Sequence, residues 1–425
     1  MNVLYVGPFN IPLIDILTGK KDDEITGFPG YFYPFRLLIE EGIRVDFVGF
    51  SNLREYDIRV DWFHEDQIVG NICDNLKYSK INSRFIKKAY SFVRLIRFFF
   101  AVEKSVRKKK YDFIYCQDYL GIAGVVSANI HHIPCGVRFY GDTFILKSRV
   151  LTKYEYIMKH GKLKLLLKKP LIYLLYKLKK DFVLTTADGT HGDLTYKMLS
   201  PKRSKCQFFF WTTGVKKTIP DEDPNFLKVL SGIKFIVYPA RIDSIKRQDR
   251  AVEVLHLLHQ RGYPLHLFLI GQNCDNAFFQ KLRKKIKEAD LDEFVHFTGG
   301  IPQKDMIQYA LHSVCCILTS DCSNRGNVFF EVFSVGVPVV TFNDGSLNEY
   351  VQDNYNGFLD ANEQEIADSI VKLLCDEVVR RQISENALLT ADQKVLSLEK
   401  RFKNEVDLIL KCAKHENLSD LPHII

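Results

Sequence analysis

Short runs of β-branched and aromatic residues alternate with longer helix-patterned stretches along most of this chain. That alternation limits the folds open to it. The runs cover residues 2–6, 44–49, 112–115, 136–139, 182–185, 234–238, 265–270, 294–297, 314–318 and 337–342. Helix patterns sit between most of them, as at 247–260, 276–289, 304–312 and 363–374. Apolar strands separated by helices predict parallel sheets covered on both faces, an α/β architecture. So many strands need two sheets, and 425 residues suit two or three domains. The weakest stretch between them is 218–228, where two prolines flank an acidic cluster. The expected units are therefore 1–220, 229–395 and a terminal helical piece, 396–425, free to cross back to the first domain.

Composition fits a globular chain: 46% hydrophobic and 26% charged residues exclude disorder. The formal net charge of +8 is uneven, with nine lysines and one acid, Glu155, between Lys153 and Lys180. Such a patch suits an anionic membrane surface, a phosphate-bearing substrate or nucleic acid; a solvated helix face is the plainer reading. No helix-turn-helix, zinc finger or stacking-sheet pattern accompanies it, which argues against a nucleic-acid partner. The ten cysteines form no CxxC pair and no Cys/His cluster, so neither a disulfide framework nor a metal site is expected, and the compartment reads as reducing. The apolar N-terminus has no basic leader and carries Pro8 and Pro12, so it reads as a first strand. Residues 119–137 carry glycines, histidines and a proline, which argues against a membrane span. Two stretches could lie in a membrane interface. In 162–180, Leu163, Leu166, Leu167, Leu171, Leu174, Leu175 and Leu178 follow a helical stripe among lysines. In 83–110, Phe98, Phe99 and Phe100 precede a basic run. Packing of each stripe on its own sheet is the competing expectation.

In doubly wound sheets ligands gather at the carboxyl ends of strands. Three loops of the second half fit that rule. After 234–238, Arg241 and Lys246 flank a turn leading into a helix, an arrangement suited to phosphate oxygens. After 314–318, a polar loop holding Asn324, Gly326, Asn327 and Val328 opens a helix that carries Glu331 among phenylalanines and valines. A carboxylate in such company needs a partner, and adjacent sugar hydroxyls are good ones. A third loop, after 294–297, places Gly299, Gly300 and Ile301 where backbone groups could meet a base edge. Read singly, each has a plain alternative: solvated cations, a glutamate near a helix start, and a turn.

Taken together and in order, these elements resemble the group 1 glycosyltransferases, or glycosyltransferase family 4, over about residues 230–410. The signature runs from Glu331 through Gly336, Pro338, Val339 and Val340. The resemblance implies a GT-B fold: two Rossmann-like doubly wound domains facing a cleft. It implies that Arg241 and Lys246 bind the donor diphosphate, that Glu331 holds the ribose hydroxyls, that the Gly326–Val328 amides reach sugar or phosphate, and that Gly300 and Ile301 flank the base. The first half resembles the family more loosely. Gly27 and Gly30 lie in a segment like the family's glycine loop, which faces the donor phosphates across the cleft, so the resemblance implies that both bind the donor. Asp118 ends a segment in which Gln117 replaces the usual histidine, and Tyr140 stands where a histidine is common. Ser323 occupies the position of the acid that normally precedes the ribose glutamate by eight residues, with Asp321 nearby as a substitute if the loop shifts.

The resemblance therefore implies a retaining transferase, with Arg241, Lys246, Tyr140 and Asp118 as the candidate catalytic set. Its substrates would be a nucleoside-diphosphate sugar and a glycan or lipid-linked acceptor. No cofactor or metal is expected, because Asp221–Asp223 fall in the linker and Asp290–Asp292 precede a strand. The expected place is the cytoplasm, with peripheral contact to the inner membrane face. The competing reading is a silent, transferase-like subunit. A nicotinamide enzyme is disfavoured, since no GxGxxG follows the first strand of either half.

Overall fold

The computed structural model describes residues 1–9, 13–14, 29–51, 72–73, 84–141, 143–146, 149–201, 204–217, 230, 232–321 and 324–422. The expected linker lies outside them. The N-terminal half runs β1 (Asn2–Pro8), α1 (Tyr33–Glu40), β2 (Arg44–Ser51), β3 (Ile72–Cys73), α2 (Arg84–Lys108), β4 (Phe113–Gln117), α3 (Ile122–His131) and β5 (Cys135–Phe139). A hairpin, β6 (Thr143–Leu146) and β7 (Arg149–Thr152), follows. Next come α4 (Lys153–Lys168), α5 (Pro170–Lys177), β8 (Phe182–Thr186), α6 (Gly192–Leu199) and β9 (Gln207–Trp211). Among the described residues the sheet has seven strands, all paired in parallel, in the order β3-β2-β1-β4-β5-β8-β9.

Alternation along each strand feeds two cores. Val3, Tyr5, Phe113, Tyr115, Phe182 and Leu184 face one side, and Leu4, Val6, Ile114, Cys116, Val137 and Val183 the other. Both faces are buried, which explains why these strands read as unbroken apolar runs.

The second half runs β10 (Phe235–Pro239), α7 (Gln248–Gln260), β11 (His266–Ile270), α8 (Asn276–Glu288), β12 (Val295–Gly299), α9 (Gln303–His312), β13 (Cys316–Leu318), α10 (Asn327–Phe333), β14 (Val339–Phe342) and β15 (Phe358–Asp360). Helices α11 (Glu363–Cys375) and α12 (Glu377–Lys394) complete it. Its six described strands are parallel, in the order β12-β11-β10-β13-β14-β15. All ten strand runs read from the sequence are strands. The short β3, the hairpin, β9 and β15 are additions, each too brief or too irregular to carry a period.

Helix α13 (Leu398–Ala413) returns to the first sheet, where Val406, Leu408, Ile409 and Cys412 join the core that holds Val3 and Tyr115. Two chain crossings run side by side at its start. Val215 N–H donates to Leu396 O at 3.1 Å, and Leu398 N–H donates to Val215 O at 2.9 Å. Gly214 permits this approach, since a Cβ there would lie 2.7 Å from the Leu398 Cα. Trp211 Nε1 donates to Pro422 O at 2.7 Å and pins the tail.

The expected helix over 162–180 is corrected. Gly161 has non-helical angles inside α4, and Pro170 opens a separate α5, so no single stripe persists. Leu165 and Leu175 are the buried leucines, whereas Leu163, Leu167 and Leu174 are exposed at 69%, 75% and 44%. In α2 the packed face is Phe98, Val102 and Val106, leaving Val93, Ile96 and Phe100 outward.

Candidate functional site

The loop after β10 is shaped by Asp243. Its Oδ1 accepts from the backbone N–H groups of Ile245 and Lys246, both at 3.1 Å, which closes a tight turn. Its Oδ2 lies 3.2 Å from Arg241 Nη2, whose side chain is otherwise 63% exposed. Gln248 Nε2 donates to Arg241 O at 2.8 Å, and Tyr238 OH donates to Lys246 O. Arg241 and Lys246 are thereby set on one rigid turn at the carboxyl end of β10. Gly271, at the end of β11, lets the neighbouring loop close in, since a Cβ there would meet Ala240 O at 2.1 Å.

The loop after β13 leans on that turn. Thr319 Oγ1 donates to Arg247 O at 2.8 Å, and Asp321 N–H donates to Ile245 O at 3.1 Å. Arg247 caps α7 with a left-handed φ of 53° and chelates both Asp321 oxygens through Nη1, at 2.8 and 2.9 Å. The Asp321 carboxylate is thus already engaged. Asn324 is held inside: its Oδ1 accepts from Ser320 N–H at 2.8 Å and its Nδ2 donates to Asp344 at 3.1 Å. Arg325 turns inward to Glu349, at 3.0 Å, and donates to Tyr350 OH at 2.9 Å. Gly326 then caps α10, with no heavy atom within 4 Å of where a Cβ would point. Asn327 and Val328 are half-buried in the first turn. Ser323 lies outside the described residues.

Glu331 sits one turn into α10, half-buried, and its sequence neighbours Phe329, Phe330, Val332 and Phe333 are buried. Loss of water pushes its carboxyl up to about 7, and a hydrogen bond from Gln303 works against that rise. Gln303 opens α9 directly after Gly300 and Ile301, so the carboxyl faces that loop. Arg241, Lys246, the Gly326–Val328 turn, Glu331 and the Gly300–Ile301 loop therefore share the carboxyl ends of β10, β12 and β13. Asp290 and Asp292 lie before β12, at the opposite end of the sheet.

The N-terminal half supplies the facing wall. Tyr140 OH donates to Gly30 O at 2.5 Å, and its ring meets Tyr31 edge-on with centroids 4.6 Å apart. Gln117 does not stand in for a histidine in the open: it is buried, and its Oε1 accepts from Tyr5 OH at 2.6 Å. Asp118 has a left-handed φ of 52°, unusual outside glycine, at the carboxyl end of β4. Burial raises its pKa, while Lys153, the Tyr140 backbone N–H, Arg138 and Gln117 pull it down. Burial pushes the Tyr31 hydroxyl up to about 12; Asp118 adds to this, and Arg138 and Arg241 oppose it. The Arg241 effect ties the two walls together. Gly27 lies outside the described residues.

Three site residues escaped the sequence reading: Tyr31, Lys153 and Gln303. Tyr31 follows Gly30 and could have been taken with it. Lys153 looked like one of nine lysines, yet it is 5% exposed, with its ammonium 4.9 Å from the Phe139 ring centroid. Nothing local separates it from its solvated neighbours.

Residues 221–389 match the family model "Glycosyl transferases group 1". The C-terminal half is a group 1 glycosyltransferase domain. A curated relative of this domain is the GDP-mannose-dependent alpha-(1-6)-phosphatidylinositol monomannoside mannosyltransferase of Mycobacterium tuberculosis, 27% identical over 152 residues, 33% of this chain and 38% of that enzyme. The human alpha-1,3/1,6-mannosyltransferase is 30% identical over 108 residues, 25% of this chain and 24% of that one. The group 1 match thus spans well under half of these relatives' lengths. The whole chain resembles solved structures: a sucrose-phosphate synthase from Thermosynechococcus elongatus, with TM-score 0.69 and 17% identity over 98% of this chain and 100% of that one. Anabaena HepE in complex with UDP gives TM-score 0.63 and 17% identity, covering 97% of this chain and 100% of that one. The fold is GT-B, two Rossmann-like domains, with the group 1 domain second.

Proposed function

We propose that this chain is a retaining glycosyltransferase that moves a sugar from a nucleoside diphosphate to a hydroxyl of a glycan or lipid-linked glycan, without a metal ion. The observation that carries this is the Glu331 carboxyl, desolvated and facing the Gly300–Gln303 loop beside the Arg241–Lys246 turn. A base against Gly300 and Ile301 would put its ribose hydroxyls at Glu331, which then gains the donors that its burial demands. The diphosphate would fall between Arg241 and Lys246. Their two fixed charges stabilise the negative charge that builds on the leaving diphosphate, which is the role a metal ion would otherwise fill. Gly326–Val328 would approach the sugar, and Tyr31, Tyr140 and Asp118 would receive the acceptor hydroxyl from the facing wall. Ser323 and the engaged Asp321 leave the sugar without a free acid on that loop, which narrows the donor to one read by neutral groups.

The donor class draws support from the relatives, one named for GDP-mannose and one solved with UDP. A membrane-borne acceptor draws support from the outward apolar residues Val93, Ile96, Phe100, Met158, Leu163 and Leu167, which stand among lysines and arginines. The proposed contact is peripheral, at the cytoplasmic face; no described helix is long and apolar enough to cross a membrane.

The second reading, a silent subunit, is favoured by the inward commitment of Asn324 and Arg325 and by the buried Gln117. A thermal-shift screen with UDP, GDP, ADP, UDP-glucose and GDP-mannose separates the outcomes. A specific ligand raises the melting temperature by mass action, and Glu331→Ala abolishes the rise. Nucleotide binding without turnover favours the subunit. A folded protein with a flat screen removes the transferase reading and leaves the subunit.

A further inference from the structure

The structure assigns a positioning role to Glu405, on the returning helix α13, for the cleft wall built by Tyr140 and Gly30. This rests on the transferase reading above. Three charged side chains, Arg138, Arg401 and Glu405, are 0% exposed in the N-terminal core. Two guanidiniums and one carboxylate would not be kept there by packing alone, because unpaired buried charge is costly. Glu405 is the hub. Its Oε2 accepts from Arg401 Nη1 at 2.9 Å, its Oε1 accepts from Tyr115 OH, and Arg138 Nε stands 3.7 Å from Oε1. Arg401 is fixed in turn by donating from Nε to Thr212 O at 2.8 Å.

From the hub the contacts run to the cleft. The Arg138 guanidinium lies 4.3 Å from the Tyr140 ring centroid, and its Nη1 donates to Phe139 O at 3.0 Å. Tyr140 then holds Gly30 through its hydroxyl and Tyr31 through its ring. The far end of the chain is the Tyr31 hydroxyl, on which Asp118 and Arg241 both act. Helix α13 begins at the paired crossing of Val215 and residues 396–398, where the two domains are joined. Glu405 lies two turns beyond that crossing. The side chain that balances the buried guanidiniums thus comes from the segment that leaves the donor domain, and it sets the wall that meets the acceptor. Helix seating and wall geometry are one event. Glu405 touches no reacting atom; it acts through Arg138 and Tyr140.

The test compares the full-length chain with Glu405→Gln and Tyr140→Phe. Probes are UDP and GDP for binding, and UDP-glucose and GDP-mannose for turnover, read as nucleotide release. Both variants should keep the wild-type thermal shift with nucleotide, since that site lies in the other domain. Donor KM should stay within about threefold while kcat falls by about ten- to a hundredfold, the scale that a displacement of about 1 Å costs. Tyr140→Phe removes one hydroxyl and leaves the buried charges intact, but that hydroxyl also belongs to the acceptor wall. If Glu405→Gln does not fold, Tyr115→Phe decides the matter, since it loses the bond to Glu405 without touching the wall, and an unchanged kcat there overturns the proposal. Unchanged kcat in a folded Glu405→Gln, or in Tyr140→Phe, overturns the proposal while leaving the transferase reading in place. Parallel loss of nucleotide binding and kcat also overturns it. No nucleotide shift and no turnover in the wild type overturns the transferase reading, and this proposal with it.

Discussion

Tyr31 in the N-terminal domain feels Arg241 of the C-terminal domain across the cleft: burial and Asp118 raise its hydroxyl, Arg138 and Arg241 oppose the rise, and the balance leaves it at about 12. Arg241 is 63% exposed, and among the described residues its ion-pair partner is Asp243. It is therefore placed to take a second anion without breaking its first contact. Arg241→Ala should weaken nucleoside-diphosphate binding by about 1.5–3 kcal/mol, the usual worth of a hydrogen bond to a charged group. Calorimetric titration of UDP and GDP checks this. A nucleoside without phosphates should bind the variant and the wild type alike.

Glu331 gives a pH signature. Its carboxyl is raised to about 7 by burial, so the folded chain holds a proton that an unfolded chain releases near the ordinary value of 4.5. The stability from that proton is complete below the ordinary value and is lost as pH rises through about 7. Ribose hydroxyls favour the charged form, so nucleotide binding should expel the proton and tighten as pH rises from about 5 to 7. Calorimetry in two buffers of different ionisation enthalpy should read a net release of protons at about pH 6. Glu331→Gln should abolish that release and weaken binding.

The leucines of α4 divide by function. Leu165 is fully buried and Leu167 is 75% exposed. Leu165→Ala should cost about 2–5 kcal/mol, as large-to-small changes in a core do. Leu167→Glu should leave stability within about 0.5 kcal/mol. The second variant should nonetheless lose co-sedimentation with vesicles containing anionic lipid, which the wild type should show at low salt. Equal sedimentation of the two proteins would remove the membrane contact from the proposed function.

Asp321 serves as a brace. Its carboxylate is chelated by Arg247, which also holds Asp249, and hydrogen bonding to Asp249 and Asp321 raises the guanidinium pKa. The pair is partly exposed, so Asp321→Asn should cost only about 0–1 kcal/mol of stability. Donor affinity should fall, because the loop next to Lys246 loses its tie, while the pH profile of turnover should keep its shape. A shifted profile would instead make Asp321 a participant in the chemistry.

The sequence by itself determined the architecture. Runs such as 3–6 and 235–239 are apolar without interruption because both faces of each sheet are covered, and that pattern is local enough to read. The loops proposed to bind the donor were legible for a related reason. Arg241, Lys246 and Gly300 sit in loops that leave strand ends and Glu331 in the helix that follows one, and parallel strands bring such ends together whatever else the chain does. Tertiary structure alone decided which charges matter. Lys153 is buried while its neighbours are solvated, Leu165 packs where Leu163 and Leu167 do not, and Asp321 is bound to Arg247. It alone joined Glu405 to Tyr140 by way of Arg138, since the Arg138–Glu405 contact spans 267 positions and depends on where α13 lands. Periodicity records which face a residue takes on its own element. Which residue waits on the other side is fixed only when the elements pack.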